Sequence, residues 1–506
     1  MFVKAGLLSL LLLVASRLLG VLRETALAAT FGTSGMADVV ILMLTLPDWL
    51  AGVLAGGALA YVLVPHWAKQ PVAQQNVTQN RVAMRLLWVS LGMVVAMCIA
   101  PAQLGALLVP GVSPALQGAA RQAVVWSALA LPAAMLAGLW ATRLQHERDF
   151  VGLYSANLVV NVVLIFALVL AGTLGAERST WPILGVFLLV AVCLRLLWQG
   201  WRLRRVRHAS LPPASAVPVV LPGWRIWLWA VLGAGLPLTL PFVARTLAST
   251  GGEGALATFN YAWKLVELPL VLAIQLVASL AFPAIAQAHA RQAPIGGADS
   301  APMACAVRNA LVLCWTLACA AAAALLVGAS AITTLLFGWG AMEPAALVQV
   351  AAWGVVGAWS LLPQALLAVA LVVLATVGRM RFGVLAYALA LAVLLLAGGA
   401  GRTGGAELMW ALNLGFLVAA LVAWAAVGAS ALQRWVPVRG LLAPLAALGT
   451  VAVLERWLIP MDGLALPAVG MRAFHAAVLI LSAASAMFVI AFSWFSGAGL
   501  RQALRS

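Results

Sequence analysis

The chain has 506 residues, of which 65% are hydrophobic and only 8% are charged, and its mean hydropathy is +1.08. Soluble domains carry about 25% charged residues, so this composition excludes a soluble globular protein and indicates an integral membrane protein. The net charge of +16 does not indicate a nucleic-acid partner, because the basic residues follow the membrane topology described below.

Apolar runs of helix length follow one another from one end of the chain to the other. A helix needs about 20 apolar residues to cross a ~30 Å hydrocarbon core, and the chain contains fourteen such runs. We therefore predict an all-α polytopic membrane protein with about fourteen transmembrane helices. The predicted spans are 3–30, 36–63, 82–109, 117–143, 150–174, 181–201, 224–249, 255–287, 303–332, 343–377, 382–400, 406–430, 440–460 and 471–495.

The distribution of Lys and Arg predicts the topology. With a cytoplasmic N-terminus and fourteen alternating spans, 20 of the 29 Lys and Arg residues, Arg195 among them, fall on cytoplasmic loops or helix ends, and five fall outside. Such an excess of basic residues on one side is the positive-inside pattern. It predicts that both termini are cytoplasmic.

The longest connection combines a basic cluster with a proline-rich segment, which is typical of an irregular linker between two helical bundles. Two six-helix lobes are a common transporter arrangement, with the substrate site at their interface. The predicted parts are an N-lobe of helices 1–6 in 1–201, a cytoplasmic linker in 202–223, a C-lobe of helices 7–12 in 224–430, and helices 13–14 with a cytoplasmic C-terminus in 431–506.

A short sequence similarity links the beginnings of the two predicted lobes. The segment "RETALAATFG" (Arg23 to Gly32) is similar to "RTLASTGG" (Arg245 to Gly252), and Leu-Pro follows each about twenty residues later, at Pro47 and at Pro269. The similarity favours an internal repeat of two six-helix halves.

Eight charged residues remain at membrane depth once the residues of loops and helix ends are set aside, and each costs about 2.5 to 3.5 kcal/mol if it is deep and unpaired. One interpretation is that they neutralise one another on the same helix, as Arg17 could pair with Glu24 and Lys264 with Glu267. The other is that they line a hydrated cavity in which cations from both lobes converge on an anion. The eight residues are Arg17, Arg23, Glu24, Asp38, Asp48, Arg245, Lys264 and Glu267.

We favour the cavity, because the basic residues come from corresponding early helices of the two lobes. The planar guanidinium of arginine suits phosphate oxygens, and a diphosphate offers several of them. The sequence contains no phosphate-binding glycine loop, metal-ligand cluster or nucleophile motif. We therefore predict a protein that is not an enzyme and has neither a cofactor nor a metal site.

Three blocks of sequence resemble the MviN/MurJ family, the lipid II flippases of the MOP superfamily. They are "SRLLGVLRETALAATFGTSGMADVVILMLTLPDWL" with "GGALAYVLVPHWA", then "RTLASTGGEGALATFNYAWKLVELPLVL", then "ITTLLFGWGAMEPAALVQVA". The resemblance implies two six-helix lobes around a cationic central cavity that opens alternately inward and outward. It also implies a bacterial inner-membrane protein that moves an undecaprenyl-diphosphate-linked saccharide, the peptidoglycan precursor lipid II, from the cytoplasmic to the outer leaflet.

The resemblance also implies roles for individual residues. Arg17, Arg23 and Lys264 match the family cations that contact the diphosphate, while Glu24 and Asp38 match acidic positions that balance the site. We count Asp48, Arg245 and Glu267 as supporting cavity charges. Helices 13 and 14 would form the groove for the lipid tail. The implied partners are the lipid-linked saccharide, membrane lipids and the cell-wall synthesis machinery, with no nucleic acid.

The chain departs from the family pattern in the second helix, which reads "LPDWLAGVLAGG". Ala51 and Gly52 stand where the family has a basic pair, Gly56 stands in place of an acid, and Asp48 replaces an asparagine. Lys264 replaces an arginine. Three alternative functions stay open: a flippase for exopolysaccharide or O-antigen precursors, a MATE-like cation exporter that depends on Asp38 and Asp48, and a non-transporting scaffold.

Overall fold

A computed structural model of the chain describes residues 2–175, 181–206, 221–292, 301–458, 468–496 and 499–505. The described residues form helices joined by short turns, with no strand among them. By length and composition, twelve helices among these described residues can cross a membrane, or thirteen if the bent pair Pro344–Ala358 and Leu361–Thr376 is one span. The first helix, with 30 residues, is long enough to be the fourteenth. The predicted all-α polytopic fold is confirmed.

The chain divides into two compact units, which are described separately. Unit 1 comprises residues 1–257 together with Trp339–Glu343. Its helices are α1 (Phe2–Phe31), α2 (Gly35–Ala51), α3 (Gly57–Ala68), α4 (Val72–Ile99), α5 (Pro101–Leu108), α6 (Gln117–His146), α7 (Phe150–Thr173), α8 (Trp181–Val206) and α9 (Trp224–Ser249). Within unit 1, α1 packs on α7, and α6 packs on α2, α4 and α8.

Unit 2 comprises residues 258–338 and 344–506. Its helices are α10 (Ala255–Pro269), whose first turn belongs to unit 1, α11 (Leu276–Gln292), α12 (Ala301–Phe337), α13 (Pro344–Ala358), α14 (Leu361–Thr376), α15 (Met380–Gly399), α16 (Gly405–Val427), α17 (Ala429–Trp435), α18 (Val438–Leu458), α19 (Ala468–Phe495) and α20 (Leu500–Arg505). The long helix α12 packs on α13, α14, α18 and α19 and forms the centre of the unit. The predicted lobes and linker stay a prediction, and residues 207–220 of that linker lie outside the described residues.

In the part of the chain that the structure describes, two spans are interrupted by a π-helical segment. Gly52–Gly56 separates α2 from α3, and Leu270–Gln275 separates α10 from α11. Each follows an intrahelical proline, Pro47 or Pro269, which removes one backbone donor and disturbs the ladder of hydrogen bonds. The prolines are those of the Leu-Pro pairs noted in the sequence, so the structural correspondence supports the internal repeat.

Several predicted spans have different limits in the structure. The span predicted at 82–109 begins ten residues earlier, because the polar segment "VAQQNVTQNR" is helical and forms the first turns of α4. It is also broken at Ala100, since Pro101 has no N–H with which to continue the helix. The span predicted at 343–377 consists of α13 and α14, which meet at an angle of 45°.

A short turn between α12 and α13 belongs to unit 1. The amide of Ala341 donates a hydrogen bond of 2.8 Å to the carbonyl of Ala29 in α1. The preceding Gly340 has φ +60, and a Cβ there would overlap the carbonyl oxygen of Ala29. Only glycine allows this close approach of two backbones, so the turn holds the last part of α1.

The ion pair between α7 and α8 leads to a prediction about stability. The carboxylate of Asp149 accepts from the Gly152 amide at the start of α7 (3.1 Å) and from Nε and Nη2 of Arg202 in α8 (2.9 and 2.7 Å). We expect Asp149→Ala to lower the free energy of unfolding by about 2 kcal/mol, because it removes both a helix cap and a partly buried ion pair. Asp149→Asn keeps the cap and should lose about half as much. Thermal unfolding of the purified variants in detergent measures both changes, and equal stability of Asp149→Ala and the parent would contradict the assignment.

Candidate substrate-binding site

Helix α1 carries three of the predicted site residues on one continuous helix. Arg17 is exposed, whereas Arg23 is half-buried and Glu24 is buried. Nη2 of Arg23 lies 2.8 Å from Oε1 of Glu24, and the side chains are 13% and 4% exposed. Glu24 thus pairs with its neighbour in sequence, and the alternative pairing with Arg17 is not the one that forms. An exposed cation and a neutralised cation lie on the same helix.

Helix α7 forms hydrogen bonds with α1 on both sides of these charges. The side-chain amide of Asn161 donates to the carbonyl of Ser16, directly before Arg17, at 3.3 Å. Farther along α1, the hydroxyl of Thr30 contacts the carbonyls of Ala26 and Leu168 at 2.8 and 3.2 Å. A polar contact at each end of the charged segment therefore holds Arg17 and Arg23 in position.

Asp38 lies in the first turn of α2 and is 0% exposed. Its two carboxylate oxygens accept hydrogen bonds from the amides of Gly254 (2.8 Å) and Ala257 (2.7 Å). Gly254 directly precedes α10 and Ala257 lies in its first turn, where free N–H groups and the helix dipole favour a negative charge. The contacts of Asp38 are those of a helix cap, and its predicted part in balancing the site cations stays a prediction.

Arg245 and Asp48 complete the predicted residues of unit 1. Arg245 is half-buried in α9 and shares a narrow space with Ile41 and Thr45 of α2. Asp48 is exposed on α2, and its charge acts on Arg195 of α8. Arg245 therefore borders α2, and the charge of Arg195 is felt at Asp48 of the same helix.

The placement of Arg195 corrects the sequence analysis, which counted this residue among loops and helix ends. The predicted span ended at residue 201, but α8 continues to Val206, so Arg195 lies eleven residues, or about 16 Å, inside the helix. The reason is that the basic segment Arg202–Arg205 is itself helical. The sequence already indicated that Arg195 is intramembrane, because the residue lies within the predicted apolar run 181–201.

Lys264 and Glu267 lie in unit 2, on α10. Nζ of Lys264 and Oε2 of Glu267 are 2.7 Å apart, and the side chains are 23% and 31% exposed. The predicted i, i+3 pair is therefore formed. Of the eight predicted residues, unit 1 holds six and unit 2 holds these two. Among the residues with described side chains, no group of three or more His, Cys, Asp or Glu could hold a metal ion.

Unit 2 also contains a cavity of about 850 Å³. Its walls come from α11, α12, α19 and α20, and most of the lining side chains are apolar. Representative lining residues are Leu280, Leu313, Ile490 and Leu504. The cavity is suited to a hydrocarbon chain, because apolar walls with few polar groups favour hydrocarbon over a charged headgroup.

Comparisons with known proteins agree with this architecture. The sequence model of the family described as "Lipid II flippase MurJ" matches residues 27–460, a range that begins just after Arg17, Arg23 and Glu24. A curated relative, "Probable lipid II flippase MurJ" of Rhizobium meliloti (strain 1021), is 26% identical over 358 residues, which are 66% of this chain and 63% of the relative. The chain thus spans less than two thirds of that relative.

Solved structures show the same fold. A lipid II flippase MurJ in an inward closed conformation has a TM-score of 0.74 at 14% identity, with 95% of this chain and 98% of that chain covered. An inward-facing multidrug resistance MATE family transporter of the MOP superfamily has a TM-score of 0.60 at 15% identity, with 83% and 96% covered. The fold is that of a multi-pass membrane transporter of the MurJ and MATE type. Because the family model covers most of its length, the chain belongs to the lipid II flippase MurJ family.

Proposed function

We propose that this chain is a flippase that moves an undecaprenyl-diphosphate-linked saccharide, lipid II, from the cytoplasmic to the outer leaflet. The proposal includes a bacterial inner-membrane location, cytoplasmic termini, and no catalytic activity. The observation that carries it is helix α1, which holds an exposed Arg17 and a half-buried Arg23 in a membrane-length helix of a chain that belongs to this family.

The proposed binding mode assigns the diphosphate to three cations. They are Arg17, Arg23 and Lys264, as the family resemblance implies. The pairing of Arg23 with Glu24 and of Lys264 with Glu267 supports this assignment in one respect. A cation held by a neighbouring acid can remain within a membrane between transport cycles, when no anionic cargo neutralises it.

The apolar cavity of unit 2 would accept the polyprenyl chain. Its lining includes Ile490 of α19, the predicted helix 14, which is one of the two helices that we expected to form the lipid groove. Alternating movements of the lobes would then carry the headgroup through a hydrated path while the tail stays in an apolar environment. Binding to membrane lipids and to the cell-wall synthesis machinery is part of the same proposal.

The proposed function is tested in cells depleted of their own lipid II flippase. We expect the chain to restore growth and to expose newly made lipid II at the outer face of the membrane. Mass spectrometry of the purified protein should show a co-purified undecaprenyl-diphosphate lipid. Normal insertion in the membrane without translocation of lipid II would contradict the proposal, and a different co-purified glycan would identify another cargo.

A further inference from the structure

Helix α8 contains a cation that the proposed binding mode does not use. Arg195 lies well inside the helix and is half-buried. Its Nε is buried and has no hydrogen-bonding partner among the described residues. Arg202, two turns farther along the same helix, has both Nε and Nη2 bound to Asp149. The Nε donor of Arg202 is thus used in a structural contact, whereas the Nε donor of Arg195 is not.

Gln199 lies one turn after Arg195. Residues separated by four positions share a face of an α-helix, so the two side chains lie on the same side of α8. Gln199 is 0% exposed, and neither Oε1 nor Nε2 has a hydrogen-bonding partner among the described residues. Buried amides are almost always hydrogen-bonded, so this side chain is suited to a partner that does not belong to the fold.

Asp48 provides the counter-charge of this pair. It is exposed on α2, and it is the acidic group whose charge acts on Arg195. All three residues belong to unit 1. A guanidinium and an amide on one helix face can bind phosphate oxygens through several N–H donors. A carboxylate whose charge reaches this guanidinium weakens its attraction for an anion, so an anion would bind and leave again.

We propose that Arg195 and Gln199 form a second diphosphate-binding position in unit 1, which the cargo occupies for part of its passage and which Asp48 keeps weak. The proposal rests on the proposed function and adds to it a site on α8. It predicts opposite effects for the two charges, since loss of Arg195 removes an attraction for the diphosphate and loss of Asp48 removes a repulsion.

The test measures binding of undecaprenyl diphosphate to the full-length protein in lipid nanodiscs. We expect Arg195→Gln to weaken binding about tenfold and Asp48→Asn to tighten it about threefold, as for charge-assisted contacts in a partly hydrated site. Arg204→Gln is the matched control, because it removes an exposed arginine from the same helix, about 13 Å farther along its axis. Its binding should equal that of the parent.

Purely structural roles for Arg195 and Asp48 give a different pattern. In that case Arg195→Gln and Asp48→Asn both lower thermal stability, and neither changes binding per folded molecule, which overturns the proposal. If Arg195→Gln does not accumulate as folded protein, Asp48→Asn and Arg195→Lys decide the question. Lysine keeps the charge but loses the planar guanidinium, so binding should weaken about threefold, and unchanged binding in both variants overturns the proposal.

The same experiments separate this inference from the proposed function. If the parent chain neither binds undecaprenyl diphosphate nor translocates lipid II, the proposed function fails. If the parent does both and Arg195→Gln is its equal in both, the proposed function stands and the position on α8 is refuted.

Discussion

Arg17→Ala is expected to reduce lipid II translocation about ten- to a hundredfold while leaving the fold intact. Arg17 is exposed on α1, so its removal leaves no buried charge behind. Loss of one charge-assisted contact to a phosphate is expected to change a transport step by this factor. The measurement is the amount of lipid II at the outer face of cells depleted of their own flippase, normalised to the protein in the membrane.

Two further variants serve as a control and a comparison for Arg17→Ala. Arg225→Ala removes another exposed arginine of unit 1, at the beginning of α9, and should transport normally. Arg23→Ala should impair both transport and stability, because it takes the ion-pair partner from the buried Glu24. Full transport by Arg17→Ala would refute the assignment of the diphosphate to α1, whatever the result for Arg23.

Asp38→Ala is expected to lower the free energy of unfolding by about 2–4 kcal/mol, because two buried amides lose their acceptor. The carboxylate contacts Gly254 and Ala257, 216 and 219 residues farther along the chain. Asp38→Asn keeps one acceptor oxygen and should have an intermediate effect. The readout is the thermal unfolding midpoint of purified protein in detergent, which falls by several degrees for a change of this size.

Asp48→Ala is the matched control for Asp38→Ala. It removes an acid from the same helix, ten residues later, but this acid is exposed, and its loss should change the unfolding midpoint little. If Asp38→Ala were as stable as Asp48→Ala, Asp38 would not cap α10. A stable Asp38→Ala that had lost only transport would instead support its predicted role as a cavity charge.

The fold was predictable because membrane-spanning helices depend on a simple property of the sequence. A run of about 20 apolar residues both crosses the bilayer and satisfies its own backbone hydrogen bonds. A break or bend within an apolar run hardly changes the mean hydropathy of that run. The break at Ala100 and the bend between α13 and α14 were therefore not predicted. The polar first turns of α4 were missed for the related reason that a helix can begin before its apolar part.

The charged residues of the candidate site were visible in the sequence, but most of their contacts could not be predicted from it. The pairing of Lys264 with Glu267 follows from helix geometry alone. For Glu24 the sequence suggested Arg17, one heptad away, as the partner, whereas the structure pairs it with Arg23, its neighbour in the chain. The contacts of Asp38 depend on a turn more than two hundred residues away. Local sequence contains no information about such a distant partner, so this role emerged only from the folded chain.

The π-helical segments Gly52–Gly56 and Leu270–Gln275 determine where the chain can lose a single residue. Deleting one residue from an α-helix rotates everything beyond it by about 100° and turns buried side chains outward. A π turn contains one residue more than the α-helical ladder requires, so deleting one there restores a regular helix and keeps the following face in place. Single-codon deletions should therefore be tolerated in these two segments and be harmful elsewhere in the same spans.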